Sequence, residues 1–236
     1  RRHFVCDVGE LARFVFLDTR QFRDSQSVCG AGSSPPIPGS TNPSIQPGCA
    51  ELEAPDRTML GRAQREFLLE SLSGSNAKWN FIVSTCVMAP FDFDPPHNAR
   101  YLYGWDGYPG ERAALLAHIE RHAVPNPVVL SGDWHSFWVN DVVAPGVPQC
   151  RNAPVEFATS GVTSRYPGNA ELMRRSQAAN TQVRYLNTED RGYMRFSVTP
   201  TKLTAACVSV DCKSPDGSPA REVARFEEDR STPDNE

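Results

Sequence analysis

The chain has 236 residues, 39% of them hydrophobic, with 24 Lys and Arg against 28 Asp and Glu for a formal net charge of −4. That is room for one or two ordinary domains with a buried core, and the slight acidity, with no basic block interleaved with aromatics, excludes a nucleic-acid-binding patch. The longest apolar runs, such as Phe14 to Leu17 and Val128 to Leu130, fall far below the roughly 18 residues of a spanning helix, which excludes a membrane span.

Leu11 to Leu17 is a short apolar, aromatic-rich run that ends in the polar turn Asp18-Thr19-Arg20-Gln21-Phe22-Arg23, the pattern of a buried strand delivering charged groups at its carboxyl end. Gly30 to Pro47 loses all periodicity and reads as a long loop, of the kind that serves as a lid, a binding loop or an insertion. Leu60, Ala63, Phe67, Leu68 and Leu72 then fall at helical spacing, with Thr58 as the expected N-cap and Ser73-Gly74-Ser75 as the stop. Trp79 to Val83 is the next buried strand. Glu111 to His122 is a second helix, with Leu115, Leu116 and Ile119 as its apolar stripe. Val128 to Leu130 forms a third strand, ending in Ser131-Gly132-Asp133-Trp134-His135. Strand, helix, strand, helix, strand argues for parallel pairing in a layered α/β fold. Beyond His135 only strands are expected, at Phe137 to Val143, Val155 to Thr159, Tyr193 to Thr199 and Leu203 to Val210, with an irregular stretch around Arg174 and Arg175. The second half is expected to be a sheet packed on the first, and residues 213–236 a flexible tail.

Seven cysteines without a C-x-x-C pair favour disulfides over a zinc ribbon. Cys29 with Cys49, and Cys207 with Cys212, are the expected pairs, and Cys86, inside an apolar segment, is the expected buried free thiol. Arg1-Arg2-His3-Phe4-Val5 superficially resembles a twin-arginine export signal, but Asp7, Glu10 and Asp18 interrupt the uncharged stretch such a signal needs. The chain reads as opening in folded sequence, with an upstream part missing.

Asp133 and His135 lie two apart at the end of a buried strand, so on extended chain their side chains share a face. An imidazole suits a transition metal and a carboxylate also suits a harder ion such as calcium, so the pair reads either as metal ligands or as an Asp–His hydrogen bond closing the strand. Asp18 and Arg20 repeat the spacing at another strand end. A guanidinium fork matches phosphate, so this pair is either a phosphate site or an ion pair positioning the loop, and Arg23 is a second candidate for either role. His118 and His122 are four apart on a helix but lack the HExxH order, and read as a solvated face. Trp105-Asp106-Gly107-Tyr108 reads as a structural turn with two aromatic anchors, the alternative being aromatic residues beside an acidic one that line a pocket mouth.

Taken in order, Leu17-Asp-Thr-Arg-Gln-Phe-Arg23, Met59-Leu-Gly-Arg-Ala-Gln64, Trp105-Asp-Gly-Tyr108, Val129-Leu-Ser-Gly-Asp-Trp-His135 and Arg191-Gly-Tyr193 resemble the PhoD-like alkaline phosphatase family, from about Phe4 to about Pro200. The resemblance implies the fold of the calcineurin-like and purple acid phosphatases: an α/β layered sandwich of two mixed β-sheets flanked by helices, with metals at the strand ends. It implies an exported phosphoric ester hydrolase that acts on small phosphate monoesters and also diesters, with calcium and iron as cofactors. Asp133 and His135 would be metal ligands, Arg20 would hold the phosphate, and Asp18 would orient Arg20. The reaction implied is in-line attack by a metal-activated hydroxide.

The sequence departs from the family at the other metal ligands. No Gly-Asp-x-Cys or Asp-Asp-His occurs, and Asp133 with His135 falls short of the about four ligands a stable site needs. Residues 1–212, with a loop insertion at about 30–50, are therefore expected to be the C-terminal part of such a metallophosphatase domain, active when its N-terminal half is present. The alternative is a catalytically incomplete, exported scaffold or binding protein. Retention of Arg20, Asp133 and His135 together favours the enzyme, because a scaffold needs none of the three.

Overall fold

The structure, a computed structural model, describes residues 3–30, 37–40, 42–144, 152–211 and 219–229. Strand β1 (Phe4–Val8) folds back on β2 (Ala12–Phe16), and a long connection carrying the short strand β3 (Ile45–Pro47) leads to helix α1 (Arg62–Ser73) and β4 (Trp79–Val83). Next come β5 (Ala99–Tyr101), helix α2 (Pro109–Arg121), β6 (Pro127–Ser131), β7 (Phe137–Asp141) and β8 (Val155–Ala158). Helix α3 (Ala170–Gln177), β9 (Val183–Asn187), β10 (Gly192–Val198), β11 (Lys202–Ser209) and β12 (Arg221–Asp229) complete the order.

Parallel neighbours need crossover connections, and α1 and α2 supply two of them. β2, β4, β6 and β8 accordingly lie side by side and parallel, in a seven-stranded mixed sheet of order β1-β2-β4-β6-β8-β7-β9. β1, β7 and β9 join it antiparallel. All four parallel strands end at one edge of the sheet, where ligands gather in open α/β sheets.

Side-chain alternation then assigns the two faces. Val15, Ile82 and Val129 pack with Leu68 and Leu72 of α1 and Leu115, Leu116 and Ile119 of α2. Their sequence neighbours Phe14, Phe81 and Val128 point the other way, onto Leu203, Ala205, Met194 and Phe196 of a three-stranded antiparallel sheet, β10-β11-β12. Burying the second face is therefore the task of the late strands, and the molecule is a sandwich of two sheets with helices on its outer side. A third cluster, around Trp138, Phe91, Phe93 and Leu172, joins α3 and the β3–β5 pair to the large sheet.

Several expectations need correction. β7, β8 and β9 enlarge the first sheet, so only the last strands form the second. The stretch around Arg174 and Arg175 is α3, started by Asn169, whose side chain accepts from the amides of Glu171 and Leu172. Thr58 does not cap α1; its hydroxyl accepts from the amides of Leu60 and Gly61 in the preceding turn. Within the expected flexible tail, residues 221–229 are β12, which runs the length of β11. Cys29 and Cys49 form the expected disulfide and Cys86 is the expected buried free thiol, but Cys207 is also a free buried thiol rather than half of a second disulfide. Its proposed partner, Cys212, lies outside the described residues.

Candidate active site

The candidate site is built at the shared carboxyl edge of β2, β4 and β6. After β2, Asp18 turns the chain: its carboxylate accepts the backbone N–H of Arg20 at 3.0 Å and of Gln21 at 3.1 Å. Gln64, buried on α1, clamps the same turn by accepting from the Asp18 amide at 2.7 Å and donating to the Asp18 carbonyl at 2.9 Å. Thr19 is fully buried against Thr85 and the Cys86 thiol, at the end of β4. The outcome is an Arg20 side chain held out at the edge of the sheet, 59% exposed.

Past the end of β6 the backbone is strained. Asp133 has φ +77° and His135 φ +53°, left-handed conformations that cost a non-glycine residue about 1 kcal/mol or more. The two side chains are thus presented by a kinked loop and not, as their spacing predicts, by extended chain. Ser131 anchors the loop from below, donating at 2.7 Å to Glu156, a wholly buried carboxylate that also accepts the amides of Met88 and Ala89 and the side-chain amide of Asn140.

The structure brings two of the five sequence candidates, Arg20 and Asp133, into contact. Arg20 Nη2 meets Asp133 Oδ1 at 2.5 Å, 113 residues away in sequence, so the charge partner of Arg20 is Asp133, and Asp18 positions the turn through backbone amides. His135 follows two residues later on the same loop. Its Nδ1 lies 3.1 Å from the Arg165 carbonyl, to which it donates. Arg23 donates to the Tyr103 carbonyl at 2.9 Å and lies over the Tyr103 ring, and its charge, like those of Arg20 and Asp133, acts on Tyr101. Burial, opposed by the Thr19 hydrogen bond and reinforced by the charge of Asp133, pushes the Cys86 thiol up to about 11, so it remains a neutral thiol beside the site.

For a metal, the donor set fits in part. A ligating histidine typically has its other nitrogen fixed by a backbone carbonyl, which describes His135, and Asp133 Oδ2 accepts no hydrogen bond from the described residues. Among the described residues, however, no three His, Cys, Asp or Glu side chains cluster as a metal site. Asp133 and His135 can therefore be two ligands of a centre, not the whole of one.

Next to Asp133 a cavity of about 270 Å3 opens between Tyr101, Trp134, Tyr166, Ile45 and Leu172. Sequence reasoning missed it, because its walls come from four separate segments and only Trp134 lies in a recognisable motif. It also missed Gln64 as a positioning residue and Glu156 as an anchor. Glu156 had a signal, a lone carboxylate inside the apolar run Val155-Glu156-Phe157.

Strand order, the two layers and charged groups gathered at the strand ends define an α/β protein with a polar edge on its large mixed sheet. Residues 1–207 match the PhoD-like phosphatase family, and the chain belongs to that family. It is 32% identical over 203 residues to alkaline phosphatase D of Bacillus subtilis strain 168, a match that covers 84% of this chain and 32% of the relative. It also superposes on a solved structure of PhoD with a TM-score of 0.79 at 26% identity, over 97% of this chain and 42% of that one. The chain thus spans about a third of the length of its curated relative.

Proposed function

We propose that the protein carrying this chain hydrolyses phosphate esters, monoesters and also diesters, and that this chain supplies the phosphate-holding arginine and two of the metal ligands. The observation that carries the reading is the Arg20–Asp133 contact at the carboxyl edge of the sheet. An exposed arginine paired with one carboxylate gives up little when an anion takes the carboxylate's place. Its fork then grips two phosphoryl oxygens. Asp18 and Gln64 fix where that fork starts, and the strained loop holds Asp133 against it.

Asp133 and His135 are ligands of a metal centre, with calcium and iron as the ions, whose remaining donors are not among the described residues. Bound metals supply neutralisation of phosphoryl charge and activation of water. The Cys29–Cys49 disulfide supports export to an oxidising compartment. No helix among the described residues is long and apolar enough to cross a membrane.

The test is hydrolysis of a chromogenic phosphate monoester and a diester at alkaline pH, with calcium and iron present, by the whole protein and its Asp133→Ala and Arg20→Ala variants. We expect activity that falls by about 100-fold or more in each variant, as when one preorganised charge-stabilising group is lost. A parent protein inactive on both esters returns the chain to a scaffold role, and full activity in both variants moves the chemistry elsewhere.

A further inference from the structure

We propose that the cavity between Tyr101, Trp134 and Tyr166 receives the alcohol portion of the ester, and that it selects an uncharged alcohol carrying a ring. The inference rests on the phosphoesterase reading and adds to it the class of leaving group. Three observations carry it.

The first is continuity. Asp133, the partner of Arg20, also lines the cavity, so a phosphoryl group held by Arg20 places its ester oxygen at the cavity's end. The second is the chemistry of the walls. Trp134 lies edge-on to Tyr101 with ring centroids 4.9 Å apart, and Tyr166 is near-parallel to Trp134 at an interplanar angle of 11°. Ile45 and Leu172 close the sides, and Ser40, Asn42 and Asn169 provide the polar groups. Among the described residues no Lys or Arg lines the cavity, and the charge that does is the Asp133 carboxylate, so beyond Arg20 at its end a leaving group with its own carboxylate or second phosphate meets no cation among them. Aromatic walls with a few uncharged polar groups fit a planar or sugar-like ring.

The third is size. A cavity of about 150 Å3 holds a benzene molecule, so about 270 Å3 takes one substituted ring with its linking carbon. In the hydrolysis, a water oxygen bonds to phosphorus, the bond from phosphorus to the alcohol oxygen breaks, and that oxygen leaves as the alcohol with a proton from the water.

The test compares benzyl phosphate with ethyl phosphate, alkyl esters whose leaving alcohols have similar acidity, so that a difference reports binding of the ring. In the whole protein with its metals, we expect kcat/KM for benzyl phosphate to exceed that for ethyl phosphate by about 10-fold or more. Tyr166→Ala should bring the ratio toward one, and Tyr166→Phe should restore it, because the ring and not the hydroxyl does the selecting. A second variant acts without removing a wall: Pro43→Lys, on the exposed rim, should raise kcat/KM for 4-carboxybenzyl phosphate relative to benzyl phosphate. A ratio near one in the unaltered protein, or a ratio indifferent to both Tyr166→Ala and Pro43→Lys, overturns the inference while leaving the phosphoesterase reading in place. Absence of turnover with both alkyl esters and with the chromogenic esters overturns the reading itself.

Discussion

Two arginine–aspartate pairs occupy opposite environments in this fold. Arg112 and Asp106 join α2 to the turn before it at 2.7 Å, their side chains only 1% and 7% exposed. The second Asp106 oxygen accepts the Phe91 amide, and Arg112 also donates to the Met88 carbonyl. Arg20 and Asp133 meet at the sheet edge with side chains 59% and 22% exposed, on a turn and a strained loop. The buried pair has no cheap alternative partner, since both side chains are almost wholly shielded from solvent and each group left alone would be an isolated charge. The exposed pair has many alternatives, and a contact that is easily exchanged is what a binding site requires.

Breaking the buried pair gives the largest expected effect. Arg112→Ala leaves Asp106 buried without its cation and should cost about 3–5 kcal/mol of stability, read from urea unfolding. A loss below about 1 kcal/mol would erase the distinction between the two pairs. The same junction depends on Gly107, where an added Cβ would sit 2.3 Å from the Leu102 carbonyl oxygen, and on Trp105 and Tyr108, whose polar atoms reach Ser84 and the Asp24 carbonyl. The structural reading of that turn from its sequence agrees with this geometry.

The disulfide comes next. Cys29 and Cys49 are separated by 20 residues, and closing a loop of that size contributes about 3 kcal/mol in the chain-entropy account. A Cys29→Ser, Cys49→Ser double variant should show that loss in thermal unfolding, and an unchanged Tm would mean that the loop is held by its other contacts.

Glu156 tests the link between core and site by pH. Burial raises its pKa above the ordinary value of 4.5, against four donated hydrogen bonds. A carboxyl group with a raised folded-state pKa contributes its full stability below the unfolded value and loses it as pH rises toward the folded value. The unaltered protein should therefore lose stability above pH 4.5 by up to about 1.4 kcal/mol per pH unit across that window. Glu156→Gln should remove this component, seen in urea unfolding from pH 4 to 8. Parallel pH profiles for the two proteins would refute it.

The same contrast between buried and exposed decides what was legible in the sequence. Trp79–Val83 is read to the residue because four of its five residues are apolar and it is buried on both faces. β1 is an edge strand with mostly exposed side chains, and β12 reads Arg-Glu-Val-Ala-Arg-Phe-Glu-Glu-Asp, its composition that of a tail. Both strands exist because a neighbour offers a hydrogen-bonding edge, which no local pattern records. At the site, the residue types at the strand ends were legible, but their pairing was not. The 113 residues between Arg20 and Asp133 are closed by sheet topology, and the positive φ angles of Asp133 and His135 defeat the period-two rule that placed their side chains.

The smallest expected effect on stability belongs to the exposed pair, and there it must be separated from the largest effect on function. Arg20→Lys keeps the charge facing Asp133, so stability should change by less than about 1 kcal/mol. An ammonium group cannot present two parallel N–H bonds to a phosphoryl group. If the arginine serves phosphate, kcat/KM for an ester should fall by about 10-fold or more in Arg20→Lys, and free phosphate should inhibit the variant more weakly. If Arg20 serves only to tether the Asp133 loop, lysine does that work nearly as well, and both kcat/KM and phosphate inhibition should stay within about two-fold of the unaltered protein. Stability alone cannot tell these roles apart, because an exposed contact contributes little in either case; the fork geometry can, since only a bound oxyanion uses it.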